Sequence, residues 1–282
     1  MYTTVSSWTE DQHKSIGKWA KNPIDKEEDH LVITAFESLL NNQTSGSATA
    51  SQFNNILAPR LVTGHRFGVW FIWGKLADAS RWFGTSHTQQ LVDLVVAIKQ
   101  LPDVINKAGY AVTYGGNIIW RGFPEFGWVF YEHGLDLDLN TEDSTYAEWH
   151  AKAPGHLSSH TFAATLLTRP EMSKSMYYAD RAFGNIMQPF DETREMADEW
   201  KMFIPPAAAW ITISGQVVHD LCFKEETTEE SQVRNWDGSS PEKWMQVKQR
   251  FMELAEQMDI DDHCRGVARE AAEEMERIEQ KA

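Results

Sequence analysis

The chain has 282 residues, which allows one large domain or two packed halves, each able to bury a sizeable core. Its 26 basic and 41 acidic side chains give a formal net charge of −15, which repels nucleic-acid backbones and anionic membranes, so we expect no nucleic-acid partner. No run approaches the roughly 20 apolar residues that span a bilayer and no secretory signal is visible, so we expect a soluble cytoplasmic protein without a membrane span.

Two residue types are informative by their number. The only cysteines are Cys222 and Cys264, both within helical patterns, which indicates reduced thiols in a reducing compartment. Tryptophan occurs twelve times. Because an indole buries a large area but needs a partner for its N–H, so many tryptophans indicate either extensive helix packing or an aromatic-lined cavity.

Helical periodicity begins near the N-terminus. The pattern Ser7-x-x-Glu10 is a capping box that starts a first amphipathic helix. A second helix begins at the acidic run 25–29, where negative charge suits the positive end of the helix dipole, and it ends at Asn41-Asn42. The small polar residues that follow cannot bury apolar area, so they predict a mobile loop near 41–51.

The next region is helical from 53 to 83 and again from 89 to 101. The segment 67–73 is apolar on nearly every side, so it is buried all round or lines a cavity. Residues 110–122 contain Gly115-Gly116 amid β-branched and aromatic residues. A short hairpin is possible there, but we predict an irregular segment.

Three histidines, His150, His156 and His160, follow an acidic stretch. Pro154-Gly155 predicts a break between them, which would place His156 and His160 on different local structures. No third ligand lies nearby in sequence, so this pattern predicts no metal site.

The stretch Pro205 to Cys222 predicts a central helix. Pro205-Pro206 suits a helix start, since the first turn makes no use of the missing N–H groups. A stripe at helical spacing is predicted to be buried: Trp210, Ile213, Val217 and Leu221. Small residues beside it would let neighbouring helices approach closely, so we expect a buried helix near 207–222.

A charged second loop is predicted near 224–240, and amphipathic helices continue from Pro241 to the C-terminus. No internal repeat or domain boundary stands out. The predicted fold class is therefore all-α, with one compact multi-helix domain over residues 1–282.

Several stretches together resemble a fungal family catalogued only as a domain of unknown function: 91–103, 126–128, 161–187, 207–222 and 244–275. The resemblance rests on apolar patterns and implies an all-helical, soluble fungal protein. It supplies neither an activity nor catalytic residues. Some fungal proteins of this unassigned kind belong to specialised-metabolite pathways, which favours an enzyme only by analogy.

The chain lacks a serine elbow, a Walker loop, a Rossmann fingerprint and a Cys-x-x-Cys pair. We therefore expect a cofactor-independent enzyme that cyclises or isomerises a largely apolar small molecule in an aromatic-lined cavity. The expected walls are Trp70, Trp73, Trp120, Trp128 and Trp210. The expected hydrogen-bond donors are Tyr177 and Tyr178, and the expected acid or base is His160 or His219.

Two alternatives remain open. Asp191 and Glu195, with Asp262 and Glu270, resemble the paired acidic motifs with which class I terpene cyclases hold Mg²⁺ around a diphosphate. Glu195 departs from the usual final Asp of the first motif, and Asp262 replaces the commoner Asn of the second. The other alternative is a non-catalytic helical protein that binds a partner or a small molecule, with its acids spread over the surface.

Overall fold

The computed structural model describes residues 4–19, 22–135, 146–172, 177–187, 196–223 and 239–281. The chain divides into two compact units, Met1–Asp136 and Leu137–Ala282. Helices make up both units, and the described part of the chain has a single two-stranded hairpin, so the predicted all-α fold class is confirmed. That both units form one domain stays a prediction.

The first unit contains five helices, one π-helical turn and the hairpin among its described residues. They are α1 (Val5–Trp19), α2 (Pro23–Leu40), α3 (Gly46–Leu61), α4 (Phe67–Lys99), β1 (Thr113–Tyr114), β2 (Asn117–Ile118), α5 (Phe126–Phe130) and the π-helical turn Tyr131–Leu135. Helix α2 packs on α1, α3 and α4, while α5 and the π-helical turn pack on α4.

The predicted loop near 41–51 is wrong in its second half. Residues 46–51 form the first turns of α3, where Ser45 caps the helix by accepting a hydrogen bond from the N–H of Ala48. Gly46 lies against α4 so closely that a Cβ there would be 2.7 Å from the backbone nitrogen of Leu94. The small residues therefore allow α3 and α4 to pack closely. Composition alone does not distinguish such a packing surface from a loop.

A polar network connects α1 and α4, and a buried acid of α2 interacts electrostatically with Lys75 of α4. The carboxylate of Asp78 accepts hydrogen bonds from Trp8 Nε1 and Gln12 Nε2, each over 2.8 Å. Asp29 of α2 is buried at 4 % exposure. Burial first, and then the charge of Asp25, raise the pKa of Asp29 to about 7, although Lys75 opposes this shift.

Residues 110–122, predicted to be irregular, contain the hairpin instead. Thr113 pairs with Ile118 and Tyr114 with Asn117 in antiparallel register. Gly115 and Gly116 make the turn with φ angles of 55° and 83°. A two-residue hairpin turn of type I′ needs positive φ at both positions, which glycine adopts without steric cost.

The second unit contains five helices among its described residues. They are α6 (Tyr146–Leu167), α7 (Tyr177–Met187), α8 (Met196–Phe223), α9 (Pro241–Glu256) and α10 (Asp262–Glu279). Helices α6, α7, α9 and α10 pack on α8, and α9 also packs on α10. The central position predicted for residues 207–222 is therefore confirmed within this unit.

Helix α8 differs from the prediction in two details. Pro205 and Pro206 lie inside it, because the helix already begins at Met196. Ser214 has non-helical dihedral angles (φ −124°, ψ 16°), and its hydroxyl donates to the Trp210 carbonyl over 2.8 Å. The predicted buried stripe is partly wrong, because Ile213 is 36 % exposed while residues 211, 214, 218 and 222 are buried.

The predicted break at Pro154-Gly155 is also wrong. Helix α6 continues through Pro154, so His156 and His160 share one helical face, one turn apart. Their ring centroids are 4.5 Å apart in an edge-to-face arrangement.

Among the described helices, none combines the length and apolar character needed to cross a bilayer. The predicted loop near 224–240 lies outside the described residues, except for Ser239 and Ser240.

Candidate functional site: a groove lined by α8, α9 and α10

An open groove of about 820 Å³ lies in the second unit. Helices α8, α9 and α10 supply its lining, which consists of His219, Phe223, Met245, Lys248, Gln249, Met252, Glu276 and Glu279. Two N-caps start the helices that supply most of the lining: Ser240 caps α9 through the N–H of Lys243, and Asp261 caps α10 through the N–H of Cys264.

The apolar part of the groove is exposed to solvent. Phe223, Met245 and Met252 are 45 %, 56 % and 43 % exposed. The two methionines lie seven residues apart on α9 and therefore share a face. Methionine is flexible and polarisable, so this wall suits apolar ligands of varied shape.

The charged part of the groove contains one ammonium and two carboxylates. Lys248 Nζ lies 2.6 Å from Glu279 Oε2 and 3.9 Å from Glu276 Oε1. Glu279 also accepts a hydrogen bond from Trp244 Nε1 over 2.8 Å. Burial by itself would raise the pKa of Glu279, but the hydrogen bonds from Lys248 and Trp244 outweigh burial and lower it.

His219 forms part of the groove wall and is 7 % exposed. Its ring stacks on Phe223 at a centroid distance of 4.4 Å and meets Trp244 edge-to-face at 5.0 Å. Its Nδ1 makes no hydrogen bond with the described residues, and the Asp220 carboxylate is 3.7 Å away. The imidazole is thus held in place by aromatic contacts, and its Nδ1 is enclosed by protein.

The groove combines an apolar wall, an ion-paired end and an imidazole. These groups can bind an amphipathic molecule, and the imidazole can exchange a proton with it. In the part of the chain that the structure describes, no three His, Cys, Asp or Glu side chains are grouped closely enough to hold a metal ion.

The chain matches a model of a known protein family. Residues 70–251 match the family described as "Protein of unknown function (DUF3632)", which is more than half of the chain. The chain belongs to this family. The predicted resemblance to a domain of unknown function is thereby confirmed, and the DUF3632 match includes α8 and most of α9. No curated protein and no solved structure matches the chain.

Of the residues predicted for catalysis in this DUF3632 protein, His219 lines the groove and His160 lies in the core. His160 is 2 % exposed, and its Nδ1 accepts a hydrogen bond from Trp210 Nε1 over 2.9 Å. Burial lowers the pKa of His160 to about 3, so its imidazole is neutral near neutral pH. Trp210, predicted as a cavity wall, is 1 % exposed.

The two predicted tyrosines begin α7. Tyr177 is 41 % exposed, and the guanidinium of Arg181 lies 5.7 Å from its ring centroid. The Tyr178 ring meets that of Tyr177 edge-to-face at 5.5 Å. Burial raises the pKa of Tyr178, and the neighbouring Tyr177 adds to this shift, so the Tyr178 hydroxyl stays protonated at neutral pH.

The other four predicted wall residues belong to the first unit. Trp73 and Trp120 are fully buried, and their indoles donate to the Pro124 carbonyl over 3.0 Å and to Asn54 Oδ1 over 2.8 Å. Trp70 is 37 % exposed and meets His133 edge-to-face at 5.5 Å, and Trp128 is 63 % exposed. Two of the four are thus packed in the core and two lie at the surface.

The predicted magnesium ligands are only partly described. Asp191 and Glu195 lie outside the described residues. Asp262 is exposed and forms an ion pair with Arg265, and Glu270 is also exposed on α10. A magnesium-dependent reaction at these residues stays a prediction.

Sequence reasoning missed most of the groove. Met245 and Met252 do carry a signal, because they repeat seven apart on the otherwise polar face of a helix whose opposite stripe is Trp244, Val247, Phe251 and Leu254. Apolar residues on the polar face of an amphipathic helix indicate a binding surface. No comparable signal distinguishes Glu276 and Glu279 from the many other acids of α10.

Proposed function

We propose that this protein binds a small, largely apolar molecule in the groove lined by α8, α9 and α10. The single observation that carries the proposal is the convergence of three exposed apolar side chains, Phe223, Met245 and Met252, on one groove. Its volume of about 820 Å³ is within the range common for small-molecule sites. A non-catalytic binding role is the simplest function that uses these groups.

A fluorescence titration with the neutral apolar probe N-phenyl-1-naphthylamine tests this proposal. The wild-type protein is expected to bind the probe with saturation. Met245→Ala and Met252→Ala remove apolar contact from the groove wall, so each is expected to weaken binding several-fold. Because both side chains are exposed, neither variant should lower the thermal unfolding midpoint appreciably.

Met258→Ala is the matched control, because Met258 is 84 % exposed and does not line the groove. It should leave probe binding unchanged. Equal weakening by all three methionine variants, or no saturable binding by the wild type, would contradict the proposal.

A second candidate function is the cofactor-independent cyclisation or isomerisation of the bound molecule. The location of His219 in the groove wall favours it, since an imidazole there could move a proton on the ligand. Roles for His160, Tyr177 and Tyr178 in this chemistry stay predictions.

Such reactions change the structure of a compound without changing its mass. Incubation of the protein with an extract of apolar metabolites should then yield products of unchanged mass and altered chromatographic retention. His219→Gln should abolish these products while N-phenyl-1-naphthylamine still binds. Products that persist in His219→Gln would exclude His219 as their acid or base.

A further inference from the structure

The charges of the groove are not balanced. Lys248 supplies one positive charge against the two carboxylates of Glu276 and Glu279, so one negative charge is left over. Lys248 hydrogen-bonds Glu279 at 2.6 Å, whereas its distance of 3.9 Å to Glu276 is too long for a hydrogen bond. Glu276 is therefore the carboxylate with capacity for a second cation.

His219 lies beside these charges but does not offer Nδ1 to a ligand. Its side chain is more than nine-tenths buried, and Nδ1 is enclosed by protein, 3.7 Å from the carboxylate of Asp220. The ring therefore contributes its shape to the groove wall, and Glu276 is the acceptor that remains for a ligand.

The ring of Phe223 favours a cationic ligand. Phe223 lines the groove and is 45 % exposed, whereas Trp244 is buried and does not line it. The faces of aromatic rings attract cations. An ammonium group carries three donors and no acceptor, which matches a groove that offers a carboxylate beside an exposed ring.

We propose that the ligand of the groove is an amphipathic amine, whose ammonium group binds Glu276 while its apolar body contacts Phe223, Met245 and Met252. This inference rests on the proposed function, because it names the ligand class of the same groove. An anionic ligand would meet two carboxylates, and the net charge of −15 on the chain would slow its approach while attracting a cation.

Three ligands with one apolar body test the inference on the wild-type protein: 4-phenylbutylamine, 4-phenyl-1-butanol and 4-phenylbutanoate. Isothermal titration at low ionic strength is expected to give the tightest binding for the amine, with a Kd at least ten-fold below that of the carboxylate. Added salt should reduce this difference, because it screens charges that are exposed to solvent.

Variants then identify the groups that recognise the ammonium. Glu276→Gln is expected to raise the Kd of the amine several-fold and to leave that of the alcohol unchanged. Glu273→Gln is the matched control, since Glu273 is exposed on the same helix but does not line the groove, and it should change neither value.

The outcomes separate this inference from the proposed function. Equal affinities for the three ligands, or tightest binding of the carboxylate, would overturn the amine assignment and leave a small-molecule site in place. If none of the three ligands binds and N-phenyl-1-naphthylamine does not bind either, the proposed function itself fails. Binding of a basic amphipathic peptide by a protein that ignores all three ligands would overturn the small-molecule assignment in favour of a protein partner.

Discussion

The indole Nε1 of Trp210 donates a hydrogen bond to Nδ1 of His160 over 2.9 Å, and both side chains are buried between α6 and α8. The bond fixes the tautomer of His160, because Nδ1 must be the acceptor and the remaining proton of the neutral ring is on Nε2. A polar contact thus joins the two helices inside the core of this unit.

Trp210→Ala is expected to reduce the free energy of unfolding by about 3–5 kcal/mol, since it deletes a buried aromatic side chain. Trp210→Phe keeps most of the apolar volume but leaves Nδ1 of His160 without its donor, which costs about 1–3 kcal/mol. Urea unfolding followed by circular dichroism measures both values. A stability loss in the phenylalanine variant equal to that in the alanine variant would show that the hydrogen bond outweighs packing at this position.

The buried His160 should make the second unit less stable in acid. Its folded pKa of about 3 is below the unfolded value of 6.5, so the unfolded state binds more protons between these pH values. Stability is therefore expected to fall as pH drops from 6.5 towards 3, by up to about 1.4 kcal/mol per pH unit. His160→Gln can accept from Trp210 without titrating, so urea unfolding of this variant should lose that pH dependence.

Asp29 should have the opposite effect on the first unit. Burial raises its folded pKa to about 7 against 3.8 when unfolded, so the folded state binds more protons between these values. The contribution of Asp29 to folding stability is fully present below pH 3.8 and is lost as pH rises to about 7. Asp29→Asn mimics the protonated acid and should become more stable than the wild type as pH rises above about 7, as measured by thermal unfolding.

The two titrations overlap between about pH 4 and 6.5 with opposite signs, so they partly cancel in global unfolding of the wild type. Amide hydrogen exchange read separately in α2 and α6 resolves them, because the helices belong to different units. If His160→Gln changed the pH dependence of amide exchange in α2, these assignments would be contradicted. The same holds if Asp29→Asn changed the pH dependence of exchange in α6.

Gly46 and Gly74 form a matched pair for substitution by alanine. A Cβ on Gly46 would meet the Leu94 nitrogen at 2.7 Å and the Asp93 carbonyl carbon at 2.8 Å, and backbone atoms cannot move aside easily. Gly46→Ala is expected to cost about 1–3 kcal/mol. A Cβ on Gly74, inside α4, would meet none of the described residues within 4 Å, so Gly74→Ala should stabilise by up to about 1 kcal/mol. Urea unfolding midpoints should therefore move in opposite directions.

The helices themselves could be predicted from sequence, because stripes such as Trp244, Val247, Phe251 and Leu254 repeat at helical spacing and are indeed buried. Helix boundaries were less predictable. Proline and small residues normally interrupt helices, yet packing keeps α6 helical through Pro154 and starts α3 at Gly46. Local propensity is weak compared with the free energy gained by burying a helix face.

The groove was harder to predict because its residues come from three separate helices, α8, α9 and α10. The sequence indicates His219 as an acid or base, but nothing in it places His219 beside Lys248 and Glu279. Long-range proximity of this kind follows from how α8, α9 and α10 pack, and periodicity describes each helix only by itself.

The non-helical dihedral angles at Ser214 divide α8 into two helical segments. Trp210 lies on the segment before Ser214 and His219 on the segment after it. In a continuous helix the direction of His219 would follow from that of Trp210 through the helical repeat, and the interruption removes this constraint. The orientation of His219 in the groove wall is therefore geometrically separate from the hydrogen bond between Trp210 and His160.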